Sequence, residues 1–192
     1  MAVPRIAFKK SLKNLYDYID TIALGLASTA KGVAGSGSSV VEFGDGKNRT
    51  AVIAINTTLG AIAGGANLAL GKLIYTLPAG ALIIKSAYMS VAITQTQGFI
   101  NADTPDIGLG TTIASGVQSL LSSTAAFENV LTGQTAANCT GTATVALVSN
   151  QILNVLSGGS HAVYLNLADG WAASGDAAAL LVGSVTVQYQ LV

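Results

Sequence analysis

Cysteine is nearly missing from this chain: Cys139 stands alone, which excludes an internal disulfide and any cysteine-based zinc cluster. It reads as a small packed side chain rather than a reactive one. Charge is equally scarce. Lys, Arg, Asp and Glu together make up 9% of 192 residues, against the roughly 25% usual for soluble domains. Long apolar runs are absent too. The longest weakly polar stretch, from Ala51 to Ala69, is broken by Asn56, Thr57, Thr58, Gly60, Gly64, Gly65 and Asn67. A spanning helix needs about 20 mainly apolar residues, so no membrane partner is expected. Nor does the start resemble a secretory signal, since Met1-Ala-Val-Pro-Arg5 leads into Phe8-Lys-Lys-Ser-Leu-Lys13 rather than into an apolar block.

What remains is apolar without being continuous. Hydrophobic residues account for 51%, and 22 glycines stand among them with many Thr and Ser. A protein alone in solution normally covers itself with mixed charge to resist association. A surface this poor in charge suits a subunit whose outside is covered by neighbours.

Nine bases balance nine acids, but unevenly. Arg5, Lys9, Lys10, Lys13, Lys31, Lys47 and Arg49 stand against Asp17, Asp20, Glu42 and Asp45 in residues 1–49. Beyond them, Lys72 and Lys85 face Asp103, Asp106, Glu128, Asp169 and Asp176. The basic tip could touch nucleic acid electrostatically. Its charge density is far below that of a nucleic-acid-binding tail, and no aromatic residues interleave with it. A protein partner is the expectation.

Residues 1–39 read as an arm with its connector, and residues 40–192 as one β-sandwich domain. Within the arm, Leu12, Leu15, Tyr16, Ile19, Ile22, Ala23 and Leu26 recur at three- and four-residue intervals, the stripe of a short amphipathic helix. Lys31-Gly-Val-Ala-Gly-Ser-Gly-Ser-Ser39 has the composition of a flexible connector. The candidate partner contacts are therefore Arg5, Phe8, Lys9, Lys10, Leu12, Lys13, Leu15, Tyr16 and Ile19.

From about Val40, short β-branched runs alternate with turn chemistry. Strands are predicted at Val40–Phe43, Ala51–Asn56, Gly71–Leu77, Ala81–Thr94, Asp106–Thr111, Thr142–Leu147, Gln151–Asn154, His161–Leu167 and Ala179–Leu191. The last is clearest: Leu181, Gly183, Val185, Val187, Tyr189 and Leu191 share one face, with Val182, Ser184, Thr186, Gln188 and Gln190 on the other. Gly44-Asp-Gly-Lys-Asn48 and Leu77-Pro-Ala-Gly80 are typical of the turns between runs. Gly116–Glu128 interrupts the pattern as a long loop or short helix. Short strands without βα alternation predict an all-β, antiparallel two-sheet sandwich of the jelly-roll kind, with an extended N-terminal arm.

Four segments carry a family resemblance: Leu77-Pro-Ala-Gly-Ala-Leu-Ile-Ile84, Asp106-Ile-Gly-Leu-Gly-Thr111, His161-Ala-Val-Tyr-Leu-Asn-Leu-Ala168 and Gly183-Ser-Val-Thr-Val-Gln-Tyr-Gln190. Together they resemble the body of tailed-bacteriophage capsid decoration, or cement, proteins over roughly residues 70–192. The resemblance implies that the second segment lies beside the first, that Asp169, Gly170 and Trp171 form a loop after the third, and that the fourth closes the sheet. It also implies a structural protein on the capsid surface. Its partners would be the major capsid protein and further copies of itself, a trimer being favoured over a dimer.

Enzymatic readings fare poorly. His161 beside Ser160 could recruit Asp169 or Asp176, but no nucleophile-elbow motif supports a triad. Asp103 and Asp106 could pair or hold Ca²⁺, although Pro105 between them favours a polar turn. Gly64-Gly65 and Gly158-Gly159 lack the Lys-Ser/Thr and helix of a phosphate loop. Trp171 and Tyr164 read as core or interface anchors. No enzyme, cofactor, metal or small-molecule substrate is expected. The alternatives are a jelly-roll coat protein that forms the shell itself, or a tail-fibre module that binds carbohydrate.

Overall fold

The computed structural model describes residues 27–28, 32–61, 68–95, 105–135, 143–149, 153–156, 161–168 and 178–192. In chain order its strands are β1 (Ala27–Ser28), β2 (Val33–Ala34), β3 (Ser38–Gly44), β4 (Asn48–Ala61), β5 (Ala69–Leu77) and β6 (Leu82–Gln95). They continue with β7 (Asp106–Gly110), β8 (Leu131–Thr135), β9 (Ala143–Ser149), β10 (Leu153–Leu156), β11 (His161–Ala168) and β12 (Ala178–Leu191). A seven-stranded sheet runs β1-β3-β4-β12-β6-β10 with β9 also on β6, and a five-stranded sheet runs β2-β5-β11-β7-β8. The pairings are all antiparallel. The chain is thus the expected all-β, two-sheet antiparallel sandwich.

Alternation explains why these segments pair as they do. In β12, Leu181, Val185, Val187 and Tyr189 are buried while Val182 and Gln188 are exposed. β4 matches it, turning Ala51, Ile53, Ile55 and Leu59 inward. A one-residue slip would carry every one of these side chains to the wrong face. β6 makes such a slip on purpose. Leu82 and Ile84 point inward, and so do Ala87, Met89, Val91 and Ile93. The parity change falls where Gln188 pairs with Ser86 and Tyr189 with Ile84, leaving Lys85 as the extra residue of a bulge. Against these strands the second sheet brings Ile74, Leu77, Ile107, Leu109, Val163, Leu165 and Leu167. Each such side chain, fully buried, contributes about 1.5–3 kcal/mol.

The two sheets differ on their outer sides. The five-stranded sheet is covered by residues 111–130, which carry two single-turn 3-10 helices at Leu121–Ser123 and Ala125–Phe127. Leu121, Phe127 and Ala114 pack there against Ala69 and Ala168 as a second small core. Consequently β7 is buried at all five positions. This segment, predicted as a long loop or short helix, is a loop with two 3-10 turns.

Two expectations need correction. The stretch from Gly32 to Ser39 is not a free connector, because Val33 and Ala34 pair with Thr76 and Tyr75. Gly35 N–H donates to the Ile74 carbonyl at 2.9 Å, and Ser38 Oγ donates to the same oxygen at 2.6 Å. A Cβ on Gly35 would collide with the Leu73 carbonyl, and Gly37 adopts φ +81. These glycines serve close approach and a left-handed turn rather than flexibility. Second, β7 does not lie beside the strand that follows Leu77-Pro-Ala-Gly80: β6 belongs to the seven-stranded sheet, whereas β7 pairs with β11 and β8 in the other. β12, the segment expected to close the sheet, joins its two halves between β4 and β6. The strands β1, β2 and β8 were not predicted. The helix expected within residues 1–26 lies outside the described residues.

Candidate functional site

A charged cluster is buried between the sheets at one end of the sandwich. Glu42 on β3 and Tyr75 on β5 are 0% exposed, Tyr189 on β12 is 1% and Arg49 on β4 is 5%. Glu42 Oε1 accepts hydrogen bonds from the Tyr75 hydroxyl and from the Tyr189 hydroxyl at 2.9 Å. Its Oε2 accepts from Arg49 Nη2 at 2.8 Å. Arg49 Nη1 also donates to the Asp45 carbonyl at 3.0 Å. Burial, reinforced by the bond to Glu42, drives the Tyr75 phenol far above its ordinary value. Burial likewise pushes Tyr189 up to about 12, the bond with Tyr75 opposing it and the bond to Glu42 helping. For Arg49, burial works against the charge, but hydrogen bonding and attraction to Glu42 outweigh it and hold the guanidinium above its usual range. The cluster pins β5 to β3, β4 and β12. Its four side chains are all buried, and together they tie the two sheets to each other.

A second set of polar groups holds the covering loop down. Asn166 on β11, 0% exposed, accepts from Ala114 N–H at 2.9 Å and donates to the Thr112 and Phe127 carbonyls at 2.9 and 2.7 Å. Asp106 Oδ2 accepts from Leu121 N–H at 3.0 Å. Asn129 meets Thr111 through two 2.9 Å bonds, and Glu128 accepts from Gly133 N–H at 2.7 Å. Buried backbone groups of an irregular loop need such partners, because leaving them bare costs ~1–3 kcal/mol each.

His161 opens β11, as predicted, with Nε2 3.4 Å from the Gly80 carbonyl. Its suggested triad partners Ser160, Asp169 and Asp176 lie outside the described residues, as do Asp103, Cys139 and Trp171. Asp106 is engaged with the loop. Tyr164 is half-buried on β11. The partner-contact candidates Arg5 to Ile19 also fall outside. Among the described residues no three His, Cys, Asp or Glu side chains gather as a metal ion would require, and no helix is long and apolar enough to cross a membrane. A shallow, open depression of about 280 Å³ lies beside Gly37, Ser38, Ser39, Ala54, Ile55 and Asn56; it holds no titratable group. Sequence reasoning missed Glu42, Arg49 and Asn166. A signal was available for Asn166, a polar residue between Leu165 and Leu167 within an apolar strand.

The remaining feature is a surface. Outward positions of the seven-stranded sheet align across its strands by register. Val41, Val52, Thr186 and Tyr88 form one row, and Ser39, Ala54, Ser184 and Ser90 the next. Asn56, Val182 and Ala92 continue beside them. Among the described residues, the outward positions of β3, β4, β12 and β6 carry no acid and a single base. That base, Lys85, sits at the bulge and donates to Asn48 Oδ1 at 3.0 Å. Val41, Val182 and Tyr88 are 47%, 43% and 39% exposed. Thus one sheet is covered by its own loop, while the described outward positions of the other are nearly uncharged.

No family model matches the chain, and no curated protein matches it. Among solved structures, a chain of the cyanophage Pam1 capsid asymmetric unit aligns with a TM-score of 0.39 at 17% identity, covering 87% of this chain and 93% of that one. An arabinose-bound α-L-arabinofuranosidase, MgGH51, aligns at 0.32 and 10% identity over 84% of this chain and 24% of that one. Dimeric latent PorU from Porphyromonas gingivalis aligns at 0.24 and 12% identity over 87% and 12%.

Proposed function

We propose that this chain is a structural virion protein that binds the outer surface of a phage capsid and cements neighbouring capsid subunits. The observation that carries this reading is the nearly uncharged outer face of the seven-stranded sheet. The other outer face is covered by residues 111–130, which themselves expose Ile113, Val117 and Leu120. Evolution of a lone soluble domain favours charge on such a face; a subunit that lives in an assembly has no such need. The major capsid protein is the proposed partner, together with further copies of this chain, and the place of action is the capsid surface.

The arm adds a second contact. Its basic tip, Arg5, Lys9, Lys10 and Lys13, and its apolar stripe reach the shell, and their covalent attachment to the sandwich raises the effective concentration of both contacts. The test removes residues 1–26 only, because β1, β2 and β3 join the sheets from Ala27 onward. Full-length chain should cosediment with phage capsids stripped of decoration, and the truncated chain should bind at least ~10-fold more weakly with unchanged circular dichroism. Equal binding by both forms would remove the arm from the mechanism. Absence of binding by the full chain, or assembly of the pure chain into closed particles, would sink the cement reading; the second result would make this chain a shell protein.

A further inference from the structure

Two surfaces of this chain need cover before it meets any partner. One is the outer face of the seven-stranded sheet, where outward side chains form four rows. The first row is Phe43, Thr50, Gln188 and Ser86; the rows through Val41 and Ser39 follow, and Asn56, Val182 and Ala92 make the last. Val41, Tyr88 and Val182 stand half-exposed on it. The other surface is the apolar stripe of the helix expected in the arm: Leu12, Leu15, Tyr16, Ile19, Ile22 and Ala23. At about 100° per residue, Lys13, Asp17 and Asp20 fall on the opposite side of that helix.

We propose that in the undocked chain the arm folds back on its own sandwich and lays this stripe along the outer face of the seven-stranded sheet. The inference rests on the docking role given above to both surfaces and says where they are kept beforehand. The point of attachment favours it. β1 follows the arm directly and pairs with β3 in that same sheet, Ala27 opposite Phe43, so the arm joins at the first of the four rows. Gly25 stands two residues before Ala27, and glycine is the residue that ends helices in a left-handed turn, so the chain can reverse there. The exposed Ile113, Val117 and Leu120 of the covering loop lie beyond the other sheet. A two-residue link reaches about 7 Å, whereas the two sheets alone stand about 10 Å apart.

Length and charge agree. A helix from Leu12 to Leu24 is about 20 Å long at 1.5 Å per residue. Four rows, each two residues further along the strands, also extend for about 20 Å at ~3.3 Å per residue. Among the described outward positions the face carries no acid, and its single base, Lys85, sits at the bulge bound to Asn48. The stripe therefore covers no unpaired charge, while Lys13, Asp17 and Asp20 stay in water. So short a tether holds the arm at an effective concentration in the mM range, which favours the chain's own arm over one from another molecule. Docking on a shell then exchanges this internal contact for shell contacts.

Thiol labelling of the full chain tests this. Ala54, exposed between Ser39 and Ser184 on the face, is changed to Cys in a Cys139→Ser background, and its reaction with a maleimide dye is timed. Labelling should be at least ~10-fold slower than in the same chain carrying Ile19→Asp, which sets a charge in the stripe and releases the arm. The ratio should not vary with protein concentration, because the contact lies within one chain. Should the Ala54→Cys chain fail to fold, Thr186→Cys on the neighbouring row takes its place. Equal labelling with and without Ile19→Asp overturns the proposal. So does protection that grows with concentration, which would give the face to a second copy. Cosedimentation with capsids separates the two readings: a chain that binds capsids but labels equally keeps the cement reading and loses this inference. A protected chain that binds no capsid does the reverse.

Discussion

Replacing Glu42 by Gln should be among the most damaging conservative substitutions in this protein. The amide keeps the shape and one acceptor oxygen, so neither a cavity nor a clash explains the loss. It removes the charge that faces Arg49 Nη2 at 2.8 Å, where the two side chains are 0% and 4% exposed. A buried cation stripped of its partner costs about 3–5 kcal/mol. The Tyr75 and Tyr189 hydroxyls meanwhile exchange a carboxylate acceptor for a neutral one; charge-assisted bonds are worth about 1.5–3 kcal/mol and neutral ones about 0.5–1.5. These losses overlap, so the expected total stays at about 3–5 kcal/mol. Folded domains have only ~5–15 kcal/mol in hand. With a urea dependence of about 1–3 kcal/mol per M, the unfolding midpoint should fall by roughly 1–5 M. The quadruple variant Glu42→Leu, Arg49→Met, Tyr75→Phe, Tyr189→Phe deletes every member and should recover most of the loss. If Glu42→Gln shifts stability by less than about 1 kcal/mol, the four residues are not one interdependent buried unit.

Two further outcomes follow from the polar groups. Tyr189 titrates ordinarily at 10.0 and is held up to about 12 in the fold, so its stabilising share is complete below pH 10.0 and disappears as pH climbs through about 12. Tyr75 shifts in the same direction. Chemical-denaturation midpoints should therefore fall across that alkaline window together with the rise of phenolate absorbance, and a flat profile would refute the burial of both rings. Asn166→Ala strands the Ala114 N–H and the Thr112 and Phe127 carbonyls, at a cost of ~2–4 kcal/mol. Limited proteolysis should then cut within residues 111–130 first; cleavage indistinguishable from the parent would mean that the loop is held by its apolar contacts alone.

The strands were legible where one face is wet and the other dry. β12 shows it best, because its alternation predicts both its length and its buried set. β4 was read short, as Ala51–Asn56, since Asn48, Thr57 and Thr58 look like turn chemistry when their cross-strand partners are unknown; β12 pairs with all three. β8, with Gly133 and Gln134 inside five residues, has no period to detect. The glycines from Gly32 to Gly37 have a composition that fits both a loose tether and a tight approach, and only the neighbours Leu73, Ile74 and Thr57 decide between them. Glu42 was legible as a charge and not as a buried one, because its partners are distant in sequence: Tyr75 lies 33 residues away and Tyr189 lies 147. The nearly uncharged face follows from composition, but which sheet carries it depends on where the 111–130 loop folds back.

The central place of β12 has a consequence for how the molecule forms. Its two neighbours, β4 and β6, are complete in the chain long before Ala178 is reached, yet neither pairs with the other. Until β12 arrives, the seven-stranded sheet exists as two halves, each with a bare inner edge built from a 14-residue strand. Closing that gap requires contacts across more than a hundred residues, such as Val52 with Thr186, so folding is expected to be slow. During that interval the chain offers two long acceptor edges for any matching strand, and β12 must win the competition.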